Sequence, residues 1–348
     1  MDIFDLINPK EIATYYTETT SNKIPYLGSV LFPNKKRLGL NLEWFKGSKS
    51  LPVMLASAAF DTKATLRDRI GVSKLETEMP FFRESMRIGE KERQQLLMAV
   101  SASNNEVVKP ILANIYDDIT NLINGSDVVA ERMRMQLLYS GTISVSANGV
   151  PYDYDYKFKA SHKKALTGTA VWSDVENSDP IANIQEWQDL IEEDTGIRPT
   201  RAICTRKTWN YLMKNKKIKL DMNPSGGQNI IMTDKLLQQY LVDKIGLTVA
   251  VYNKKYLTEV GGNSEPFFPD DVFTLIPEGN LGNTFFGTTP EEADLMSGKS
   301  RAKVEIVNTG VAVTTYVEEH PVNALTIVSA VCLPSFESID SVFIADVA

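Results

Sequence analysis

Apolar and polar positions alternate along Leu38-Gly39-Leu40-Asn41-Leu42-Glu43-Trp44-Phe45-Lys46 with the period of a half-buried strand. Gly47-Ser48-Lys49-Ser50 then reads as a turn, and Leu51-Pro52-Val53-Met54-Leu55-Ala56 resumes an extended run whose proline is tolerable only at an edge or a strand start. With a return path through 62–69 and 74–87, this pattern predicts a long extended hairpin over 31–92. The chain has little sequence of its own left to cover such a ribbon, and an unpaired strand edge invites other chains. The ribbon therefore suggests a subunit of a larger assembly.

A helical period takes over after residue 91. Val107, Ile111, Ile115, Ile119, Leu122 and Ile123 share one face, with Pro110 placed in a first turn. Asn124-Gly125 interrupts this run, and Ser126 or Asp127 caps a second one, in which Val129, Met133 and Leu137 recur before the Ser140-Gly141 stop. One long, broken helix is expected. Strands are predicted over 142–146 and 152–159, and a second lobe from about residue 161. That lobe opens on Asp179-Pro180, a cap and first-turn signal, ahead of the apolar face Ile181, Ile184, Trp187, Leu190 and Ile191. A strand over 201–204, helices over 207–215 and 233–244, and strands over 247–252 and 272–277 follow. The Val-, Ile- and Thr-rich segments 302–313 and 324–333 read as strands. This irregular alternation predicts an α+β fold rather than a doubly wound sheet. The expected divisions are an N-terminal arm (1–30), the extended hairpin (31–92), a lobe carrying the long helix (93–160), a second lobe (161–300) and C-terminal strands (301–348) that return to the first lobe.

Charge and composition narrow the function. The 348 residues carry 37 basic and 44 acidic side chains, a formal net charge of -7, which argues against a dedicated binder of nucleic acid or anionic membrane. No apolar run is long enough to span a bilayer, and Met1-Asp2-Ile3-Phe4-Asp5 lacks the blocks of a secretory signal, so synthesis in the cytoplasm is expected. Cys204 and Cys332 lie in apolar or mixed runs and read as buried, reduced thiols. Neither histidine, His162 or His320, has a partner evident in sequence, and both read as surface or turn residues. Asp153-Tyr154-Asp155 imitates a metal-binding pair but reads as a solvated strand face beside Lys157, and Gly298-Lys299-Ser300 lacks the first glycine of a phosphate loop, Ala293 standing in its place. No catalytic residue, cofactor or metal is expected.

Around Glu131-Arg132-Met133-Arg134-Met135-Gln136-Leu137-Leu138-Tyr139-Ser140-Gly141-Thr142-Ile143-Ser144-Val145 the chain resembles the lambda-type phage major capsid protein family, often called capsid protein E, in which a long helix ends in a Leu-x-x-Gly step into a strand. Phe81-Phe82-Arg83-Glu84, Phe286-Gly287-Thr288-Thr289-Pro290-Glu291-Glu292 and the run from Leu333-Pro334-Ser335 to Val342-Phe343-Ile344-Ala345-Asp346-Val347 agree in order, so the resemblance covers nearly the whole chain. It implies the Hong Kong phage type capsid fold: an N-terminal arm, an extended loop, a peripheral lobe on a long spine helix and an axial lobe. It further implies hexamers and pentamers in an icosahedral shell around packaged double-stranded DNA, with scaffold, portal and decoration proteins as partners. Trp44 and Phe45 read either as a local cluster or as anchors on a neighbouring copy, and the resemblance favours anchors. With Lys46, Lys49, Phe81, Phe82, Arg83 and Glu84 they form the expected contacts between subunits. Lys35, Lys36, Arg37, Lys46 and Lys49 lie toward one end of the arm and Glu76, Glu78, Glu84, Glu90 and Glu92 toward the other, so a basic tip is expected to meet an acidic return arm next door. The alternatives are an encapsulin-like cargo shell and an enzyme using Asp153 and Asp155.

Overall fold

Local sequence signals account for most of the helix and strand boundaries. The computed structural model describes residues 8–19, 25–46, 73–101, 105–147, 150–226, 230–259, 261–298, 303–319 and 322–348. Helix α1 (Pro9–Glu18) is capped by the Asn8 side chain, which accepts from the Glu11 N–H at 3.0 Å, and Pro9 occupies the first turn, where no donor is needed. The short helix α2 (Leu27–Leu31) leads to strands β1 (Asn34–Lys36), β2 (Asn41–Lys46), β3 (Ser73–Glu78) and β4 (Phe81–Ile88). Helix α3 (Glu90–Ser101) and the 36-residue helix α4 (Asn105–Ser140) follow, then the hairpin β5 (Thr142–Ala147) and β6 (Val150–Asp155), and strand β7 (Lys163–Ala165). Helix α5 (Pro180–Thr195) starts where Asp179 accepts from the Ala182 N–H at 3.2 Å and stops at Gly196, whose φ of 73° only glycine adopts freely. Next come β8 (Arg201–Cys204), α6 (Arg206–Lys214), α7 (Lys216–Met222), α8 (Asp234–Ile245), β9 (Thr248–Val251), β10 (Lys255–Leu257) and β11 (Ser264–Pro266). The chain ends through β12 (Val272–Ile276), β13 (Thr284–Phe286), α9 (Pro290–Met296), β14 (Lys303–Val307), β15 (Val311–Glu319), β16 (Val322–Pro334) and β17 (Phe343–Asp346).

Two sheets organise these elements. The larger runs β1-β13-β16-β15-β14, with β4 also paired to β16, and the other runs β7-β17-β12-β8-β9. The second sheet separates two cores by strand periodicity alone. Phe273 and Leu275 of β12, Phe343 and Ala345 of β17, and Ala202 and Cys204 of β8 face the core beneath α5 to α8, whereas Ile276, Ile344 and Ile203 join the core around α4. The first of these cores is aromatic at its centre: Trp187 stacks on Phe343 with centroids 5.1 Å apart, and Trp172 meets Phe273 edge-on at 4.9 Å. Helix α4 lies along the larger sheet, and its Leu138 carbonyl accepts from the buried Thr274 hydroxyl at 2.8 Å, so the spine touches both sheets. The fold is α+β, as expected.

Four sequence expectations need correction. Helix α4 runs unbroken through Asn124-Gly125, with Ser126 and Asp127 inside it rather than at a cap. Gly125 costs about 1 kcal/mol relative to alanine, but Ile119, Ile123, Ala130 and Met133 on either side are buried against the same core, and tertiary packing overrides the local break. Pro110 is the sixth residue of α4, not a first-turn residue. The segment read as one strand over 302–313 is the hairpin β14–β15, turned at Asn308 with φ 53°, a conformation asparagine tolerates. The return path over 74–87 is two strands with different partners: β3 pairs with β2, while β4 belongs to the larger sheet. The turn at 47–50 and the runs at 51–56 and 62–69 lie outside the described residues.

Candidate assembly surface

The ribbon is the ladder of β2 with β3, in register from Asn41↔Glu78 to Lys46↔Ser73, and among the described residues neither strand pairs with any other. Its root is fixed to the body of the chain. Leu42 is fully buried, and Trp44, 7% exposed, lies against Tyr156 with ring centroids 5.1 Å apart. The Tyr154 hydroxyl donates to the Glu78 carbonyl at 3.1 Å, and Arg37 Nη1 donates to the Glu43 carbonyl at 3.0 Å. Trp44 is therefore an anchor within its own chain and not an exposed docking group, because the alternation that makes β2 a strand turns Trp44 with Leu42 toward the core. Phe45 and Lys46 close β2, and Lys49 and His320 lie outside the described residues.

Four of the expected contacts come together on β4. Phe81, Phe82, Arg83 and Glu84 line a groove of about 500 Å³ with Leu122, Gly125 and Val129 of α4. Phe81 is 37% exposed, and the Arg83 guanidinium sits 4.7 Å above its ring while pairing with Glu291 at 2.5 Å. Glu291 also accepts from the Ser329 hydroxyl at 2.8 Å, so Arg83 is held within its own chain. Glu84 is exposed, and Phe82 packs against the core. The helix side of the groove escaped the sequence reading because it faces β4 only after folding. Its one sequence signal was Gly125, where a side chain is missing from a helix surface.

The motif at 286–292 has a structural explanation. Thr289 caps α9 by accepting from the Glu292 N–H at 3.2 Å, and Glu292 pairs with Lys36 of β1 at 2.5 Å. A side chain on Gly287 would come within 2.7 Å of the Gly39 carbonyl oxygen, so this close backbone contact requires glycine.

Below this surface, α4 carries a buried charged cluster. Glu131 accepts from the Gly28 N–H at 3.0 Å and the Tyr252 hydroxyl at 2.7 Å. Arg134 approaches Glu131 at 3.4 Å and donates to Thr284 at 2.8 Å and to Asn34 at 2.5 Å. Burial pushes the nearby Asp127 carboxyl up, with Glu131 adding to the rise, while Arg134 holds it down. The cluster ties the segment from α2 to β1 onto the spine.

The remaining candidate chemistry resolves simply. Cys204 and Cys332 are free and buried, and burial pushes the Cys332 thiol up to about 12. The Lys157 ammonium, 2.8 Å from Asp155, holds that exposed carboxyl below its usual range. Among the described residues no cluster has the makings of a metal site, and no helix is long and apolar enough to cross a membrane. His162 corrects the expectation of a surface residue: it is buried where β6 passes into the second sheet, with Nε2 2.9 Å from Asp194, and Lys159 and Asp340 add charge nearby. Burial lowers its pKa, only partly opposed by Asp194. A base whose folded-state value lies below its unfolded one costs stability as pH falls beneath the unfolded value, about 6.5 for histidine. The urea midpoint is therefore expected to fall between about pH 7.5 and about pH 5.5, and His162→Gln to flatten that slope. An unchanged slope in the variant would remove His162 as its source.

Comparison with known proteins agrees with this architecture. The putative capsid protein of an Escherichia coli CFT073 prophage superposes with a TM-score of 0.63 at 16% identity, covering 98% of this chain and 99% of that one. A phage-related protein from Bordetella bronchiseptica RB50 gives 0.57 at 13% identity over 98% and 97%, and the capsid asymmetric unit of cyanophage A-1(L) gives 0.50 at 12% over 92% and 91%. No curated protein matches the sequence. The family model for Phage major capsid protein E matches residues 13–347. The chain belongs to the phage major capsid protein E family: it has the Hong Kong phage type fold and is a structural, shell-forming protein of the virion.

Proposed function

We propose that copies of this chain close into hexamers and pentamers of an icosahedral shell around packaged double-stranded DNA, each ribbon lying over an adjacent copy. The observation that carries this reading is the β2–β3 ladder, which pairs only with itself among the described residues while its root is fixed to the lobe by Trp44. A ribbon held so firmly at one end is suited to reach a neighbour. Residues 93–160 and 301–348 then form the peripheral lobe and residues 161–300 the axial lobe, with the described part of the arm at 1–30 seated on the first of these by its buried Ile12 and Tyr16. Repeated heterologous contacts of this kind close into rings and shells. The net charge of -7 suits a shell that encloses DNA without gripping it. Scaffold, portal and decoration proteins are the expected partners, with assembly in the host cytoplasm. Size-exclusion chromatography with electron microscopy of the expressed chain tests the reading. Megadalton shells, or rings and sheets of capsomers, are expected, and a stable monomer would overturn it.

A further inference from the structure

Two leucines that could have been buried are held in the open beside the ribbon. Leu38 is 69% exposed and Leu40 45% exposed, on either side of Gly39. Their backbone is fixed: the Gly39 N–H donates to the Thr288 hydroxyl at 3.1 Å, the Thr288 N–H donates back to the Gly39 carbonyl at 3.1 Å, and the Leu40 carbonyl accepts from the Met79 N–H at 2.9 Å. Gly39 has φ 90°, a value costly for any other residue, so the outward turn is built into the backbone. With Pro290, Ala293 and Met296 of α9, the last 65% exposed, these leucines line an open cleft of about 580 Å³. Among the described residues no charged side chain lines it, in a chain that is 23% charged. A rigid, uncharged apolar surface of this kind marks an interaction site.

We propose that Leu38, Leu40 and Met296 form a contact face that a second copy of this chain covers in the assembled shell. The proposal rests on the shell reading above. The occupant follows from two observations: the family builds homo-oligomeric shells, and the face is continuous with the root of the ribbon, Leu40 standing immediately before β2. Covering it adds buried apolar area at the point from which the ribbon departs, fixing the angle at which one copy meets the next.

Thiol labelling tests this directly, because Cys204 and Cys332 are buried and leave a low background. Leu38→Cys is expected to react with a small maleimide in isolated subunits at the rate of an exposed thiol, and at least about tenfold more slowly in assembled particles. Equal rates in particles would overturn the contact face while leaving shell assembly intact. Slow labelling in isolated subunits would also overturn it, by placing the cover within the same chain. A wild-type chain that forms no higher assembly would overturn the shell reading and this face together. The double change Leu38→Glu with Met296→Glu supplies a second readout. Native circular dichroism with loss of particles is expected, and particles at wild-type yield would refute the contact.

Discussion

Replacing Arg134 by alanine is expected to cost the subunit about 3–5 kcal/mol, measured as the loss in unfolding free energy in urea. The side chain is 3% exposed and supplies the only cation in contact with Glu131 among the described residues, while donating to Asn34 and Thr284. Without it, the Glu131 carboxylate stays buried with two neutral donors, the Gly28 N–H and the Tyr252 hydroxyl. Removing one partner of a buried pair costs far more than removing both, so Arg134→Met with Glu131→Gln is expected to be milder than Arg134→Ala alone. The deficit also carries a pH signature. Asp127 is already raised by burial, and loss of Arg134, which opposes that rise, moves it further up. An acid whose folded-state value exceeds its unfolded one, about 3.9 for aspartate, loses its contribution as pH rises through the folded value. The deficit of Arg134→Ala is therefore expected to widen as pH rises above the unfolded value. A loss under about 1 kcal/mol, independent of pH, would mean that the cluster is not what holds the segment from α2 to β1 on the spine.

That cluster also shows where sequence reading stops. Glu131 and Arg134 sit in a helix where Ala130, Met133, Met135, Leu137 and Leu138 are all buried, so the stretch is enclosed on every side. The run of apolar residues around two charges was visible, but their partners come from Gly28, Asn34, Tyr252 and Thr284, which only the fold brings together. Signals confined to one turn survived where no distant packing opposed them. The Asp179-Pro180 cap and the strand at Arg201–Cys204 stand where the sequence placed them, because each rests on bonds between near neighbours or on a short apolar run between turns. Signals that depend on distant pairing did not. The alternation in β2 was readable, but which of its faces is covered depends on Tyr156, and so Trp44 was read as an outward anchor. Likewise the unbroken α4 depends on a sheet contributed by residues 81–88 and 303–334, which outweighs one local glycine.

Replacing residues 47–72 by Asn-Gly is expected to leave a folded subunit that forms no shells. The design follows from the register: β2 and β3 end on the facing pair Lys46↔Ser73, and a two-residue Asn-Gly loop closes such a pair in the turn whose twist matches the strands. The residues that hold the ribbon root, Leu42, Trp44 and their partners Tyr154 and Tyr156, all lie outside the excised stretch. The melting temperature is therefore expected to stay within about 4 °C of the full chain. Shell formation depends on a different quantity. A contact made once per copy is repeated through the whole closed lattice, so a modest loss at each contact compounds into loss of the particle. Electron microscopy and sedimentation of the shortened chain should show subunits or small rings at concentrations where the full chain gives particles. Particles of normal yield and size would remove the ribbon from the assembly mechanism. Such particles would also shift the burden of inter-copy contact to the leucine face at its root, whose thiol protection in the shortened chain would then decide whether that face alone can hold neighbours together.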